Sequence, residues 1–389
     1  MEAVGTLYDI LGVHPRSKPS ALREAYRRLA RSFHPDVNPD PTSHDRMARI
    51  NAAFETLIDP VRRMEYDASL NGGIVNDPTP DARDSRAAEA VRVGIVHRLR
   101  HHRTPLYSLT FAPDTGQMLT GSFDNELHWW DLAGGVPARS LRLDGGVVST
   151  LRAVGNERVV AAGLNETQVS VWRLEGGAVR QTRLLPIEWI GCADISPDGR
   201  RLALGSVHRT VHTLDTETMK PLFVSELHRE SVTAVSFSPT GDLLASGSAD
   251  ATVRIWEPQT GLPLDSLQAV RSTVSAIAWS PDGSLLAVAA VDLSIRIFEV
   301  RKGRLLKTFF GHEKPIESMA FHPDGWLLAS VGRDGFVGLW DTTRGVGHGK
   351  IEASHLPLNA VGFTRDGTIL VAGGLDKVVR VWRLALRAP

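Results

Sequence analysis

The sequence predicts a multidomain chain: an all-α antiparallel helical hairpin at residues 5–68, a linker at 69–90, and an all-β repeat array at 91–389. Three observations carry that reading. An apolar stripe of helical period runs up to His34-Pro35-Asp36 and stops, and a second stripe of the same kind follows it. Beyond residue 91 the aromatic residues recur every 42 positions. The stretch between is punctuated by Gly and Pro and has no apolar period.

The first long helix is read from Leu22, Ala25, Tyr26, Leu29, Ala30 and Phe33, the i, i+3, i+4, i+7 pattern of one buried face. Ser17 suits its N-cap and Pro19 its first turn, where a missing N–H costs nothing. Pro35 disfavours α conformation at His34, so the helix ends there and the tripeptide sits on a loop. Arg23, Arg27 and Arg31, with Arg28 beside them, give the opposite face a cationic stripe that Glu24 partly neutralises. Met47, Ile50, Ala53, Phe54, Leu57 and Ile58 form the apolar face of the next helix, which Asp59-Pro60 ends.

Two such helices around His-Pro-Asp resemble the J domain of the DnaJ co-chaperones. Leu7 to Val13 supply the short first helix of that domain, Ala25 to Ala30 and Ile50 to Leu57 its flanking segments, and Arg62 to Asp67 its closing segment. Ser32 departs from the pattern, since many relatives carry a basic residue there. The resemblance implies that His34, Pro35 and Asp36 engage an ATP-bound 70-kDa heat-shock chaperone of the DnaK type and promote its ATP hydrolysis. It also implies that Arg23, Arg27, Arg28 and Arg31 dock on an acidic part of that chaperone. Taken alone, the tripeptide is equally an ordinary interhelical turn and the arginines a solvated helix face.

In the second region, steps of 42 from Trp130 reach Trp172, Leu214, Trp256, Phe298, Trp340 and Trp382; turn glycines recur at Gly199, Gly241, Gly283, Gly325 and Gly367. Seven units therefore run without net insertion, each with short alternating runs that suit four antiparallel strands. Three units add a polar pattern of fixed spacing: His102, Thr120, Asp124, Trp130; His228, Ser246, Asp250, Trp256; and His312, Ser330, Asp334, Trp340. This region resembles a seven-bladed WD-repeat β-propeller, in which such residues form a buried hydrogen-bonded chain from Asp through His and hydroxyl to indole. The other four units lack it in full. Asp292 and Asp376 keep only the turn aspartate, so those blades are expected to rely on apolar packing. The last unit lacks its outer strand, which residues 91–99 can supply, closing the ring and removing free edges. On that expectation the helical unit lies beside the ring seam.

The propeller resemblance also places a binding face at the top of the channel, at positions three and five after the network histidine and just before the turn aspartate. Those positions hold mostly small residues, Ser231, Thr233, Thr273, Ser275, Pro315 and Pro357, but the first three units present Tyr107, Phe123, Val147, Trp189 and Val207. Arg333 and Glu317 then form a polar rim. The alternative is that Trp189 fills space left by the missing network in its own blade.

Composition bounds the rest. The chain has 389 residues, 42% of them hydrophobic, with 44 basic against 44 acidic side chains, and a mean hydropathy of −0.11. Residues 1–70 hold ten of each sign, so the arginine stripe is a local patch on a neutral unit. Neither nucleic acid nor a membrane is expected as partner: there is no basic run, and no apolar run approaches the ~18 residues of a spanning helix. The single Cys192 excludes an intramolecular disulfide or a cysteine-cluster zinc site, so a reducing, cytoplasmic setting is expected. His97, His101 and His102 look like a metal cluster at first sight, but His102 belongs to the buried network; no metal and no cofactor is expected. The fixed period leaves no room for catalytic insertions, and no nucleophile–base set or carboxylate pair stands out, so no catalytic residue is expected. The favoured function is a co-chaperone whose propeller binds a client protein or complex. The rival is an interaction scaffold whose helical unit only docks; a propeller-borne hydrolase is remote.

Overall fold

The computed structural model describes residues 6–15, 17, 21–22, 25–26, 28–29, 43–58, 63, 66 and 91–386, without 114, 145–146, 156–157, 165–167, 188, 226 and 268–270 in the last range. His34, Pro35, Asp36, Arg23, Arg27 and Arg31 lie outside the described residues.

Helix α1 (Leu7–Leu11) is short but closed at both ends. Thr6 and Asp9 form a reciprocal capping box, and Gly12 ends it at φ 62°, a left-handed value that glycine adopts without a Cβ clash. Residues 21–22, 25–26 and 28–29 are helical, and helix α2 spans Ser43–Ile58. Their apolar faces meet as the periodicity requires: Tyr8, Leu11, Leu22, Ile50, Ala53, Leu57 and Tyr66 form one buried cluster. Tyr26 stacks on Phe54 at 4.2 Å between ring centroids, and the Leu7 N–H donates to Tyr66 Oη at 2.6 Å. Tyr66 thereby ties the end of the unit to its beginning.

Among the described residues from 91 on, the chain forms 28 strands in seven antiparallel four-stranded sheets. Blades 1 to 6 are consecutive meanders: 106–142, 148–185, 190–225, 232–267, 274–310 and 316–352. Blade 7 takes three strands from 358–386 and its fourth from β1 (Val91–Arg100). β1 pairs antiparallel with β28 (Val378–Leu386), from Val91 opposite Leu386 to Arg100 opposite Val378, with one bulge at Val96. The ring thus closes by strand pairing rather than by a loop. Apolar clusters sit between neighbouring blades, as where Ala245, Val253 and Ile255 of blade 4 pack on Trp279, Leu286 and Phe298 of blade 5.

Two local devices repeat around the ring. The residue after each turn aspartate position has positive φ in Asn125, Arg209, Ala251, Leu293, Gly335 and Lys377. In five of these blades the aspartate accepts from the N–H two residues on, an Asx turn that in four of them holds a left-handed residue other than glycine in place. The second device is a bulge in the innermost strand of every blade. Register slips at Tyr107, Ser149, Gly191, Thr233, Ser275, Glu317 and Asn359. A bulge re-aims the side chain that it carries. These are the positions five after the network histidine, so the backbone itself singles out that part of the top face. No helix among the described residues is long and apolar enough to cross a membrane.

Candidate functional site

The polar pattern becomes a relay of bonds in blades 1, 4 and 6. In blade 4 the Trp256 indole N–H donates to Ser246 Oγ at 2.8 Å, His228 Nε2 lies 2.7 Å from the same oxygen, and His228 Nδ1 lies 3.1 Å from Asp250 Oδ2. Blade 6 repeats it with Trp340, Ser330, His312 and Asp334 at 2.8, 2.7 and 2.8 Å. One proton arrangement satisfies every group: Nδ1–H donates to the carboxylate, and the hydroxyl donates to Nε2 while accepting from the indole. In blade 1, Trp130 and His102 both meet Thr120 Oγ1 at 2.7 Å, but His102 Nδ1 stands 3.4 Å from Asp124, leaving it without a proper bond. Buried, and in blades 4 and 6 self-satisfied, these relays fix strand register and offer nothing to a substrate.

Blades 5 and 7 correct the expectation of purely apolar packing. Asp292, 5% exposed, is bound by Arg296, 2% exposed, at 2.8 Å, and Ser294 joins them. In blade 7 Arg380 pairs with Asp376 at 2.5 Å, and Ser354, standing where other blades have histidine, donates to Asp376 at 2.8 Å. An arginine four residues after the turn aspartate has taken the place of the histidine. That signal is in the sequence but is ambiguous, because Arg254 stands at the same offset in blade 4, where His228 is present. Blade 2 solves a different problem: its Trp172 N–H donates to the Asp144 carbonyl at 3.1 Å.

On the top face the structure leaves Tyr107, Phe123, Trp189 and Val207 exposed, at 39%, 50%, 49% and 48%. Tyr107 and Phe123 meet at 5.0 Å between ring centroids. Val147 is half-buried and contributes less. Trp189 does not fill its blade; it stands half-exposed 6.4 Å from the His208 ring, at φ 59°, a left-handed value strained for a bulky residue. No described residue at the same repeat position shares that φ. Arg333 and Glu317 are ion-paired with each other. The apolar positions are not confined to the first three blades, since Val291 and Leu356 are 43% and 47% exposed.

Comparison with known families assigns both regions. Residues 6–67 match the family model described as DnaJ domain, and residues 94–131, 219–257, 303–341 and 347–383 match that of the WD domain, G-beta repeat. The chain joins a DnaJ domain to a WD-repeat propeller. Residues 266–314 also match the anaphase-promoting complex subunit 4 WD40 domain. The DnaJ domain is similar to Chaperone protein DnaJ 1 of Aquifex aeolicus, 46% identical over 70 residues, covering 18% of this chain and 19% of that protein. Chaperone protein DnaJ of Acaryochloris marina is 49% identical over 67 residues, covering 17% and 18%. The chain spans about a fifth of the length of these curated relatives. Of the four DnaJ-domain arginines named above, Arg28 is the one described, and it is exposed on a helical turn.

A histidine cluster sits in blade 1 of the WD-repeat propeller. The buried His128 ring lies 4.4 Å from that of His102 and 4.8 Å from that of His101; its Nδ1 meets Ser140 Oγ at 2.7 Å. Its Nε2 has no bonded partner, with Glu126 at 3.5 Å. Among the described residues no group of three or more His, Cys, Asp or Glu is arranged to hold a metal. Burial, then repulsion from His102 and His101, pushes the His128 pKa down to about 4. The unfolded chain, with histidine near 6.5, therefore binds more protons than the folded one between these values, and stability is lost as pH falls from 6.5 toward 4. Burial likewise lowers His228 and His212, with the same sign. From pH 8 to 5 the His128 share is about 1–2 kcal/mol. Urea midpoints across that range should show a shallower loss in His128→Gln than in the native chain, and parallel curves would remove this assignment.

Proposed function

We propose that this chain is a co-chaperone: its DnaJ domain recruits a DnaK-type 70-kDa chaperone and stimulates its ATPase, while the propeller's top face holds a client protein or complex. The observation that carries the reading is the DnaJ match over residues 6–67, which includes His34-Pro35-Asp36, on a packed core of Tyr8, Leu11, Leu22, Ile50, Leu57 and Tyr66. In this reading His34, Pro35 and Asp36 contact the ATP-bound chaperone, and Arg23, Arg27, Arg28 and Arg31 steer and orient the encounter. The chemistry then belongs to the partner, and this chain needs no nucleophile, metal or cofactor of its own. The client side is supported by Tyr107, Phe123, Trp189 and Val207, since exposed aromatic anchors on one rim are what a protein interface uses. The strained backbone of Trp189 adds to this, because strain held at an exposed side chain is characteristic of binding sites. A reducing, cytoplasmic setting belongs to the same reading; burial pushes the lone Cys192 thiol up to about 12.

The test is steady-state ATP hydrolysis by a DnaK-type chaperone with the full chain. Stimulation should fall to the basal rate in Asp36→Asn and His34→Gln and remain in Trp189→Ala. Trp189→Ala should instead weaken partner capture by more than ~1 kcal/mol. Undiminished stimulation by both DnaJ variants would favour the scaffold reading.

A further inference from the structure

The outermost strands of the blades also expose apolar side chains. Val136, Val224, Leu262 and Leu264 stand on or beside the outer strands of blades 1, 3 and 4, at 53%, 52%, 57% and 49% exposure. The outer strand of blade 5, β21 (Arg304–Phe310), is different because something covers it. Phe310 packs against the core cluster of the DnaJ domain, and its ring meets Tyr66 edge-on at 5.4 Å and 87°. Thr6, Leu7, Ile10 and Arg49 line the same cleft from one side; Phe310, Glu313, Trp340 and Val346 line it from the other. Arg49 Nη2 lies 3.5 Å from Glu313 Oε2. The contact therefore lies at blades 5 and 6 rather than on blade 7, where β1 closes the ring.

We infer that β21 and the loop leading into blade 6 are a docking surface whose occupant is this chain's own DnaJ domain. Each side is tied into its own unit where they meet. Tyr66 is fixed by the Leu7 N–H, and the Glu313 N–H donates to Asp334 Oδ2 at 2.9 Å, which ties the docking loop to the relay of blade 6. The Arg49–Glu313 pair is 38% and 42% exposed, so it sets orientation more than strength, and the apolar seat of Phe310 does the holding. A small seat suffices, because covalent linkage supplies the partner at high effective concentration. Docking uses α1, Arg49 and Tyr66 and leaves Arg28 exposed. Arg28 is thus held outward at a fixed place beside blades 5 and 6, whatever chaperone the domain meets.

Cross-linking in the full chain tests this. Cysteines replacing Arg49 and Glu313 in a Cys192→Ser background should be joined within one molecule by a short bismaleimide. A docked contact should react about tenfold or more faster than a control pairing Arg49→Cys with Glu175→Cys in blade 2, because docking raises the local concentration of one thiol at the other. Adding Phe310→Ser should bring the rate down to that control while the urea midpoint of the propeller is retained. A rate equal to the control at the outset overturns the docking, and a fast rate that ignores Phe310→Ser overturns its apolar seat. Neither outcome depends on ATPase stimulation, so the inference and the co-chaperone reading fail separately.

Discussion

A chain lacking residues 91–99 should lose about 5 kcal/mol of propeller stability, a fall of roughly 10–20 °C in Tm, because Val91, Val93 and Leu99 lose their burial together. Val91 and Val93 pack on the blade 6–7 cluster with Trp382 and Leu384, and Leu99, 4% exposed, packs with Val379 and Val381. Loss of β1 also leaves β28 an open edge along its whole length, so aggregation should accompany the drop. Leu99→Asp is a milder form of the same test, placing a charge in that cluster. Removal of residues 1–80 should shift the melting temperature by only a few degrees, since it leaves β1 in place. Equal melting curves with and without residues 91–99 would mean that the ring is sealed in some other way.

Asp292→Ala should be nearly as damaging as that deletion, at about 3–5 kcal/mol, because it strands a charged Arg296 that is 2% exposed. Removing both charges is a different matter. Asp292→Ala with Arg296→Met should recover most of the loss, since a well-packed apolar pair often equals or exceeds a buried ion pair. Urea unfolding of the three chains measures this. If the single variant costs under ~1 kcal/mol, in the range of exposed ion pairs, blade 5 tolerates the charge and Asp292 is not its counter-ion in any useful sense.

The parts of the fold that were legible in the sequence are those set by spacing. The 42-residue period gave the ring, and offsets of 18, 22 and 28 from His102, His228 and His312 gave three relays whose bonds the structure places at hydrogen-bonding distance, except His102 to Asp124. The missed features depend on substitution or on backbone geometry. Arg296 and Arg380 replace a histidine that lies more than twenty residues earlier in the chain, so a search for the missing residue at its own position finds nothing. The left-handed Trp189 and the exposure of Val291 follow from local φ and from loop packing, which no periodicity encodes. The seat of the DnaJ domain was misplaced for a related reason. Chain order suggests a place next to β1, but the ring contact of Tyr66 is with Phe310 of blade 5, which no periodicity marks.

The seven bulges of the innermost strands amount to a substitution experiment already carried out inside one molecule. The same backbone device carries tyrosine, serine twice, glycine, threonine, glutamate and asparagine, and the strand register slips identically in all seven cases. The slip itself thus does not depend on the side chain there, although Ser149, Thr233 and Asn359 also bond to backbone of their own or the next blade. Where that side chain bonds to no backbone, as at Tyr107 and Glu317, the rim can be rewritten one blade at a time, exchanging Tyr107 for a charge or Glu317 for an aromatic, without reopening the question of whether the ring forms.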